Sequence, residues 1–325
     1  MITTMVGNYP KIPLAQKGIN LRQAIGEHEK GKLDDDRLED VYRKTILRTI
    51  EDQQTAGIDI ITDGQIRWTD LTSPMTRSLQ NVLPGGIRRF FDNNSYYRRP
   101  QITGLISRHR DLATSEYRFA ADNGDRPVKA VLCGPITFCH LSDNYYYRSF
   151  DKLAEAIAGI LADEASALIG EGCRHIQLDE PALPLYPRKM ALAATLYGRI
   201  FEGIKEEFGI FIYFSSIKPI AESLFGLPVK FIGLDLVSHP DDVKLLRGFD
   251  PDKKLVAGLF DGRNIMLENE KTIRARLDEI GTMVPFEQTL LSPSYGLECL
   301  PHKYAVAKLQ RMGEVARKVS TVNSR

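Results

Sequence analysis

The stretch FDKLAEAIAGILADEASALIGEGCRHIQLDEP (Phe150–Pro181) decides the fold. From Phe150 to Ile169, leucine, isoleucine and alanine recur at helical spacing while aspartate, glutamate and lysine fall on the other face. Gly170 stands where a helix end favours a left-handed residue. The apolar run His175–Asp179 follows, and Glu180-Pro181 ends it in a turn fixed by the proline ring. A helix that passes through glycine into a short buried strand is the repeating unit of a parallel α/β sheet.

Reading outward, the same unit recurs. Ile2–Val6, Ile58–Thr62, Val128–Cys133, His175–Asp179, Ile210–Phe214, Phe231–Asp235, Leu255–Phe260 and Thr289–Ser292 read as strands. Leu38–Ala56 reads as a helix ending at Gly57, and Ala191–Phe208 as one ending at Gly209. Eight strands are the number that closes an α/β barrel. A doubly wound open sheet shares the alternation, so periodicity alone does not separate the two. The interval Thr69–Arg126 is too rich in turns for a crossover: it holds Pro84-Gly85-Gly86, Asn93-Asn94 and Tyr96-Tyr97-Arg98-Arg99-Pro100. It predicts an insertion, a hairpin or lid with Gln101–Ile106 as a strand, placed over the C-terminal mouth. The expected fold is a (β/α)8 TIM barrel with an insertion after the second strand, one domain over residues 1–325.

Composition narrows the function. The 325 residues carry 43 Lys and Arg against 42 Asp and Glu, a net charge of +1, which gives no field for a nucleic acid. No apolar stretch approaches membrane-spanning length, and the N-terminus MITTMVGNYPKIP lacks a leader pattern. Cys133, Cys139, Cys173 and Cys299 form no C-x-x-C pair, so free thiols in a reducing cytoplasm are expected. Cys139-His140 is the one Cys/His neighbour pair; on a strand the two side chains would point to opposite faces and share no ion.

Polar residues follow the apolar runs: Asn8, Asp63 and Gln65, Asp179 and Glu180, Ser215-Ser216, Asp235, and Asp261 with Arg263. In a parallel α/β fold these converge at one mouth. Asp63, Asp179, Glu180 and Asp235 mixed with Arg67, Arg98, Arg99 and Arg263 suit a zwitterionic, amino-acid-like ligand. The competing reading is plain capping and turn formation, which uses the same residue types. Of Asp179 and Glu180, one is expected to face the pocket and the other the wall. Trp68 either lines a pocket or closes the barrel end, and Tyr96-Tyr97 and Tyr145-Tyr146-Tyr147 pack over the mouth.

Four strings, TDGQIRW (Thr62–Trp68), GPITF (Gly134–Phe138), IQLDEPAL (Ile176–Leu183) and SPSYGLECLP (Ser292–Pro301), together resemble the cobalamin-independent methionine synthase family over essentially the full chain. The resemblance implies methyl transfer to homocysteine, with a methylated folate or other methyl donor and no tightly bound cofactor. Full-length members carry two barrels, and this chain has the length of one. Where the catalytic barrel places its zinc ligands, this chain reads Ile212–Ser216, Gly233–Val237 and Pro293–Leu297, and only Asp235 keeps a ligand type. Tyr213, Ser215 and Tyr295 are poor substitutes for imidazole and thiolate, so no metal is expected.

Leu227-Pro228-Val229, Leu234–Val237 and Gly258–Ile265 look like the late strands of the family's zinc-free N-terminal barrel. Tyr9-Pro10-Lys11-Ile12 and Asn20-Leu21-Arg22 resemble its folate-tail segment, which makes Lys11 and Arg22 the implied cofactor-binding cations, although Asn20 replaces a glutamate. Asp179 matches the carboxylate that binds the homocysteine amino group in the catalytic barrel. Arg98 and Arg99 fall near that barrel's carboxylate-binding loop, and Gln65 stands where it has a glutamate. The implied substrate-binding set is Asn8, Gln65, Arg98, Arg99 and Asp179. The expectation is a barrel that works beside a separately encoded zinc-bearing barrel. Two rivals remain: an independent enzyme using Asp179, Glu180 and Arg263 for metal-free acid/base chemistry on a carboxylated substrate, as the related uroporphyrinogen decarboxylase barrel does, and a regulatory amino-acid-binding protein.

Overall fold

The computed structural model describes residues 1–11, 20–91, 93 and 95–323, with the side chains of 320–323 left aside. Ile12 of the Tyr9–Ile12 motif and Asn94 of the Asn93-Asn94 pair lie outside the described residues.

Helices α1 (Leu21–Glu29), α2 (Asp35–Ala56) and α3 (Ser73–Ser78) precede a long hairpin of β1 (Leu79–Arg89) and β2 (Tyr96–Arg108). Then follow α4 (Thr114–Asn123), β3 (Lys129–Cys133), α5 (Pro135–Leu141), the two-residue β4 (Asp143–Asn144), α6 (Phe150–Gly170) and β5 (His175–Asp179). The chain continues as α7 (Met190–Ile200), β6 (Glu207–Ile212), α8 (Ala221–Phe225), β7 (Phe231–Asp235), β8 (Lys254–Phe260), α9 (Glu270–Gly281), β9 (Thr289–Pro293) and α10 (His302–Asn323). Local chemistry sets the bounds. Asp34 caps α2 by accepting from Arg37 N–H at 2.9 Å, Asp35 and Asp36 favour its positive end, and Gly57 stops it at φ +82°.

Strands β3, β5, β6, β7, β8 and β9 hydrogen-bond in that order as one parallel sheet. Almost every residue in them is buried, which is why they read as continuous apolar runs rather than alternating ones. The two remaining expected strands are not regular. Ile2–Val6 and Ile58–Thr62 contribute single parallel bridges, Thr3 to Leu291 of β9, Thr4 to Ile60, and Ile61 to Val128 beside β3. Side chains take the backbone groups that a longer ladder would need. Asp59 accepts from Thr3 N–H and hydroxyl at 2.9 Å, and the Gln53 amide bonds both Thr62 N–H and C=O at 2.9 Å.

Two helix ends differ from expectation. Gly172, not Gly170, is the left-handed residue after α6, at φ +85°. Helix α7 stops at Ile200, and Gly209 lies inside β6, where a Cβ would sit 2.1 Å from the Phe231 carbonyl oxygen of β7. That glycine serves close strand approach rather than a cap.

Within Thr69–Arg126, β1 and β2 pair antiparallel from Leu79–Arg108 to Arg89–Tyr96, with register shifts between Gln80 and Val82 and between Pro84 and Ile87. The expected strand Gln101–Ile106 lies inside β2. Its Gln101 and Ile102 also pair parallel with Asp143 and Asn144 of β4, and Arg99 meets Asp143 at 2.9 Å, so the hairpin is tied to the segment between α5 and α6. Leu79, Val82, Tyr97, Ile102 and Ile106 turn one hairpin face into the main core.

Candidate functional site

The carboxyl ends of the parallel strands and bridges point toward the hairpin, the place where α/β sheets hold ligands. A cavity of about 180 Å³ opens there. Asn8 and Lys11 enter it after the first bridge segment, Gln65 and Trp68 after the second, Tyr213 after β6, and Tyr295 and Glu298 after β9. Phe90, Ser95 and Tyr96 come from the hairpin.

The lining is polar and underbonded. Asn8 Oδ1, both amide atoms of Gln65, Trp68 Nε1 and Glu298 Oε2 are buried without a hydrogen-bond partner among the described residues. Leaving one such group dry costs about 1–3 kcal/mol, so five around one small cavity mark a place built for a polar occupant. The backbone is strained here too. Gln65 has φ +51° directly after Gly64 at φ +74°, and Phe214, next to Tyr213, has φ +70°.

Glu298 is held by Asn8 Nδ2 at 3.0 Å and by the Tyr295 hydroxyl at 2.6 Å, both donating to Oε1. Burial lowers the Lys11 ammonium below the usual lysine range, against the opposing pull of Glu298, Asp70 and Asp63. The Tyr213 and Tyr295 rings meet edge to face at 5.0 Å, and Phe214 packs on Tyr295 at 4.6 Å.

Asp179 and Glu180 part company as their alternation requires. Glu180 is fully buried in the wall: it accepts from Ile136 N–H at 3.1 Å, Thr137 N–H at 2.8 Å, the Thr137 hydroxyl at 2.7 Å and the Tyr197 hydroxyl at 2.9 Å. A Cβ at residue 134 would fall 2.2 Å from its Cδ, so Gly134 makes the room it occupies. The strings GPITF and IQLDEPAL therefore form one structural lock, and the expected catalytic use of Glu180 has no free oxygen to draw on.

Asp179 lies one layer beneath the cavity, behind Tyr213, whose hydroxyl donates to it at 3.1 Å. Gln177 Nε2 donates to its other oxygen at 2.7 Å. Lys129 Nζ donates to Gln177 Oε1 at 2.8 Å and to the Met5 carbonyl, which completes a buried chain Lys129–Gln177–Asp179–Tyr213. Burial raises the Asp179 carboxyl to about 7, against its two hydrogen bonds and Lys129, and burial lowers Lys129 to about 7.

The other expected residues are dispersed. Arg98 is exposed on β2, with its N–H on Asp70 at 3.3 Å, and Arg99 pairs with Asp143; neither lines the cavity. Arg22 is exposed on α1, where Asn20 and Gln23 form a capping box. Arg67 pairs with Glu39 on the outside. Arg263 lines a wider outer cavity of about 850 Å³ that shares Ser95 and Tyr295 with the inner one; it donates to Ser238 and lies 5.5 Å from the Phe214 ring centroid. Trp68 lines the pocket. Glu298 and Lys129 were not anticipated.

The residues at the family's zinc position do not fit a metal. Asp235 accepts from Val237 N–H at 3.1 Å and Ser238 N–H at 2.9 Å, a turn-forming role, and Ser216 donates to Asp242 at 2.6 Å. Cys139 and His140 lie on helix α5, not on a strand, and His140 bonds the Tyr186 hydroxyl at 3.0 Å while stacking on Phe91. Among the described residues no three His, Cys, Asp or Glu side chains gather as a metal site.

Comparison with known proteins agrees with this architecture. The family model described as cobalamin-independent synthase, N-terminal domain, matches residues 67–285. The methionine synthase of Sulfurisphaera tokodaii is 27% identical over 312 residues, covering 95% of this chain and 90% of that protein. That of Pyrococcus furiosus is 26% identical over 319 residues, covering 98% and 92%. A B12-independent methionine synthase from Shewanella sp. W3-18-1, solved in complex with selenomethionine, superposes with TM-score 0.84 at 22% identity over 98% of both chains. A B12-independent methionine synthase described as putative, from Listeria monocytogenes, gives 0.76 at 22% identity over 98% of this chain and 99% of its own. At that identity the two structures speak for the fold alone. The family model covers most of the chain, and the chain belongs to the cobalamin-independent methionine synthase family, in the pattern of its N-terminal domain.

Proposed function

We propose that this chain is a (β/α)8 barrel that binds a small sulfur amino acid of the homocysteine and methionine type, as part of methyl transfer to homocysteine. The observation that carries the reading is the ring of unpartnered buried polar groups around a cavity that also holds Lys11 and Glu298. One cation and one anion with hydrogen-bond donors and acceptors between them suit a zwitterion. The volume of about 180 Å³ lies below the roughly 300–1,000 Å³ of drug-sized sites, which favours a molecule as small as an amino acid. The selenomethionine named for the Shewanella structure is a ligand of this class. Barrel closure is supported by the bridges that run from β9 through Thr3, Thr4, Ile60 and Ile61 to Val128, and the Thr69–Arg126 interval then forms a lid.

Among the described residues no zinc site fits that would hold the homocysteine sulfur as a thiolate, so we assign activation of the nucleophile to a separately encoded zinc-bearing barrel. The methyl donor, a methylated folate in the simplest case, would take the outer cavity beside Arg263 and Tyr295. Of the two cations that the resemblance implies for the donor, Lys11 lines the inner cavity, where it meets the amino acid, and Arg22 is exposed on α1 and lines neither cavity. The reading fits a soluble cytoplasmic protein, with four free cysteines and, among the described residues, no helix long and apolar enough to cross a membrane. The metal-free acid/base reading is weaker, because Glu180 is bonded into the wall and Arg263 lies at the outer cavity.

The test is thermal unfolding with L-methionine, L-homocysteine or a folate. Either amino acid at 100 times its dissociation constant adds about 2.7 kcal/mol of stability. An unchanged melting temperature with both amino acids at millimolar concentration overturns the reading.

A further inference from the structure

Two carboxylates, Asp70 and Glu298, belong to the cavity lining and Asp179 lies directly beneath it, while Asp63, which also pulls on Lys11, is not in the lining; hydrogen bonding separates the first three. Asp70 is occupied within its own loop: Oδ1 accepts from Thr72 N–H and hydroxyl at 2.8 Å, and Oδ2 from Arg98 N–H at 3.3 Å. Asp179 has one oxygen on Gln177 and the other on Tyr213, and it does not line the cavity. Glu298 alone presents a free oxygen. Its Oε1 is fixed by Asn8 and Tyr295, while Oε2 is buried with no partner among the described residues.

The turn before Glu298 is built to bring it inward. A Cβ on Gly296 would lie 2.3 Å from Glu298 Oε2 and 2.8 Å from Asn8 Cβ, so any larger residue at 296 would displace both. Asn8 Oδ1 and Gln65 Oε1 are further unpartnered acceptors. The donors, Trp68 Nε1, Gln65 Nε2 and Lys11, belong to the same lining.

We infer that Glu298, not Asp179, receives the ammonium group of the bound amino acid, with Asn8 Oδ1 as second acceptor, and that Trp68 Nε1 and Lys11 receive its carboxylate. The inference rests on the amino-acid reading of the cavity and adds to it a residue that selects for an α-ammonium group. Asp179 then stays beneath the cavity, with both oxygens bonded within the sheet by Gln177 and Tyr213. Placing the anion after the last strand also accounts for the neutral Gln65, since a second carboxylate there would add like charge to the same small lining as Glu298.

The experiment compares the dissociation constants of L-methionine and of its 2-hydroxy analogue, which carries a hydroxyl in place of the ammonium. Wild type should prefer L-methionine by at least about tenfold, the size of a hydrogen bond to a charged group. Glu298→Gln keeps the side-chain shape and should bring the two ligands within about threefold, while Asp179→Asn and Asp70→Asn keep the wild-type preference. Gly296→Ala, which displaces Glu298 without removing it, should reduce the preference as well and serves in its place if Glu298→Gln does not fold. A wild-type preference retained by Glu298→Gln, or abolished by Asp179→Asn alone, overturns the assignment and leaves the amino-acid site standing. Binding of neither ligand by wild type overturns both.

Discussion

Asp179 and Lys129 face each other through Gln177 inside the sheet, far from bulk water. The Asp179 carboxyl is raised from 3.8 to about 7 by burial, so between those values the folded protein keeps a proton that the unfolded chain has lost. Stability charged to this group therefore falls as pH rises from about 4 to about 7 and levels off above. Lys129 runs the other way: the cost of burying it charged is present below about 7 and is relieved as pH rises toward 10.5. Asp179→Asn removes the first dependence. At pH 5 it should already gain on wild type by about 1–2 kcal/mol, and at pH 8 by at most about 4 kcal/mol. Urea unfolding at both pH values checks this, and a stability difference that is the same at both would refute it. Asp179 was visible in the sequence because it ends an apolar run before Glu-Pro. Asn8, Lys11 and Gln65 were visible for the same reason of place or by resemblance. Glu298 was not, since it sits three residues beyond Tyr295 in a loop whose inward fold depends on Gly296. Lys129 was hidden by its neighbours: one lysine at the edge of an apolar run reads as a strand terminus at the surface.

The hairpin of β1 and β2 contributes to the cavity wall, and in the lid reading proposed above access to the cavity depends on it. Phe90, Ser95 and Tyr96 come from its tip, whereas Arg88 and Arg89 are exposed beside it. Trypsin should cut first at Arg88 or Arg89, and saturating L-methionine should slow that cut several-fold by holding the tip closed. Mass spectrometry of the early fragments decides it; a rate that ignores every ligand makes the hairpin a fixed wall. The hairpin was legible because proline, glycine and asparagine cluster where a crossover helix would need the opposite. The end of α7 was not, because a glycine that lets β6 approach β7 looks, in sequence, the same as one that caps a helix. The two earliest strands read correctly as apolar runs, yet their ladders shrink to single bridges because Asp59 and Gln53 bond the backbone first. Competition of that kind depends on side chains 9 and 56 residues away from the groups they bond and leaves no local mark.

At the scale of the whole molecule, the family's fold is kept, and in the function proposed above its metal chemistry is not. Tyr213 and Tyr295 fill the space with packed rings, and Asp235 is bound up in a turn. The purified chain should hold well under one equivalent of zinc by elemental analysis and, alone, should form no methionine from homocysteine and a methylated folate. Chelator-resistant, stoichiometric zinc would defeat this. Four strings at successive strand ends made the family legible, because each is pinned by geometry that few other residues satisfy. Gly134 and Glu180 illustrate how tight that pinning is. A methyl group at 134 collides with Glu180, and a shorter residue at 180 strands the amides of Ile136 and Thr137. Neither position can change first without loss, so the two strings can be exchanged only together, and this lock stands apart from every residue that lines the cavity.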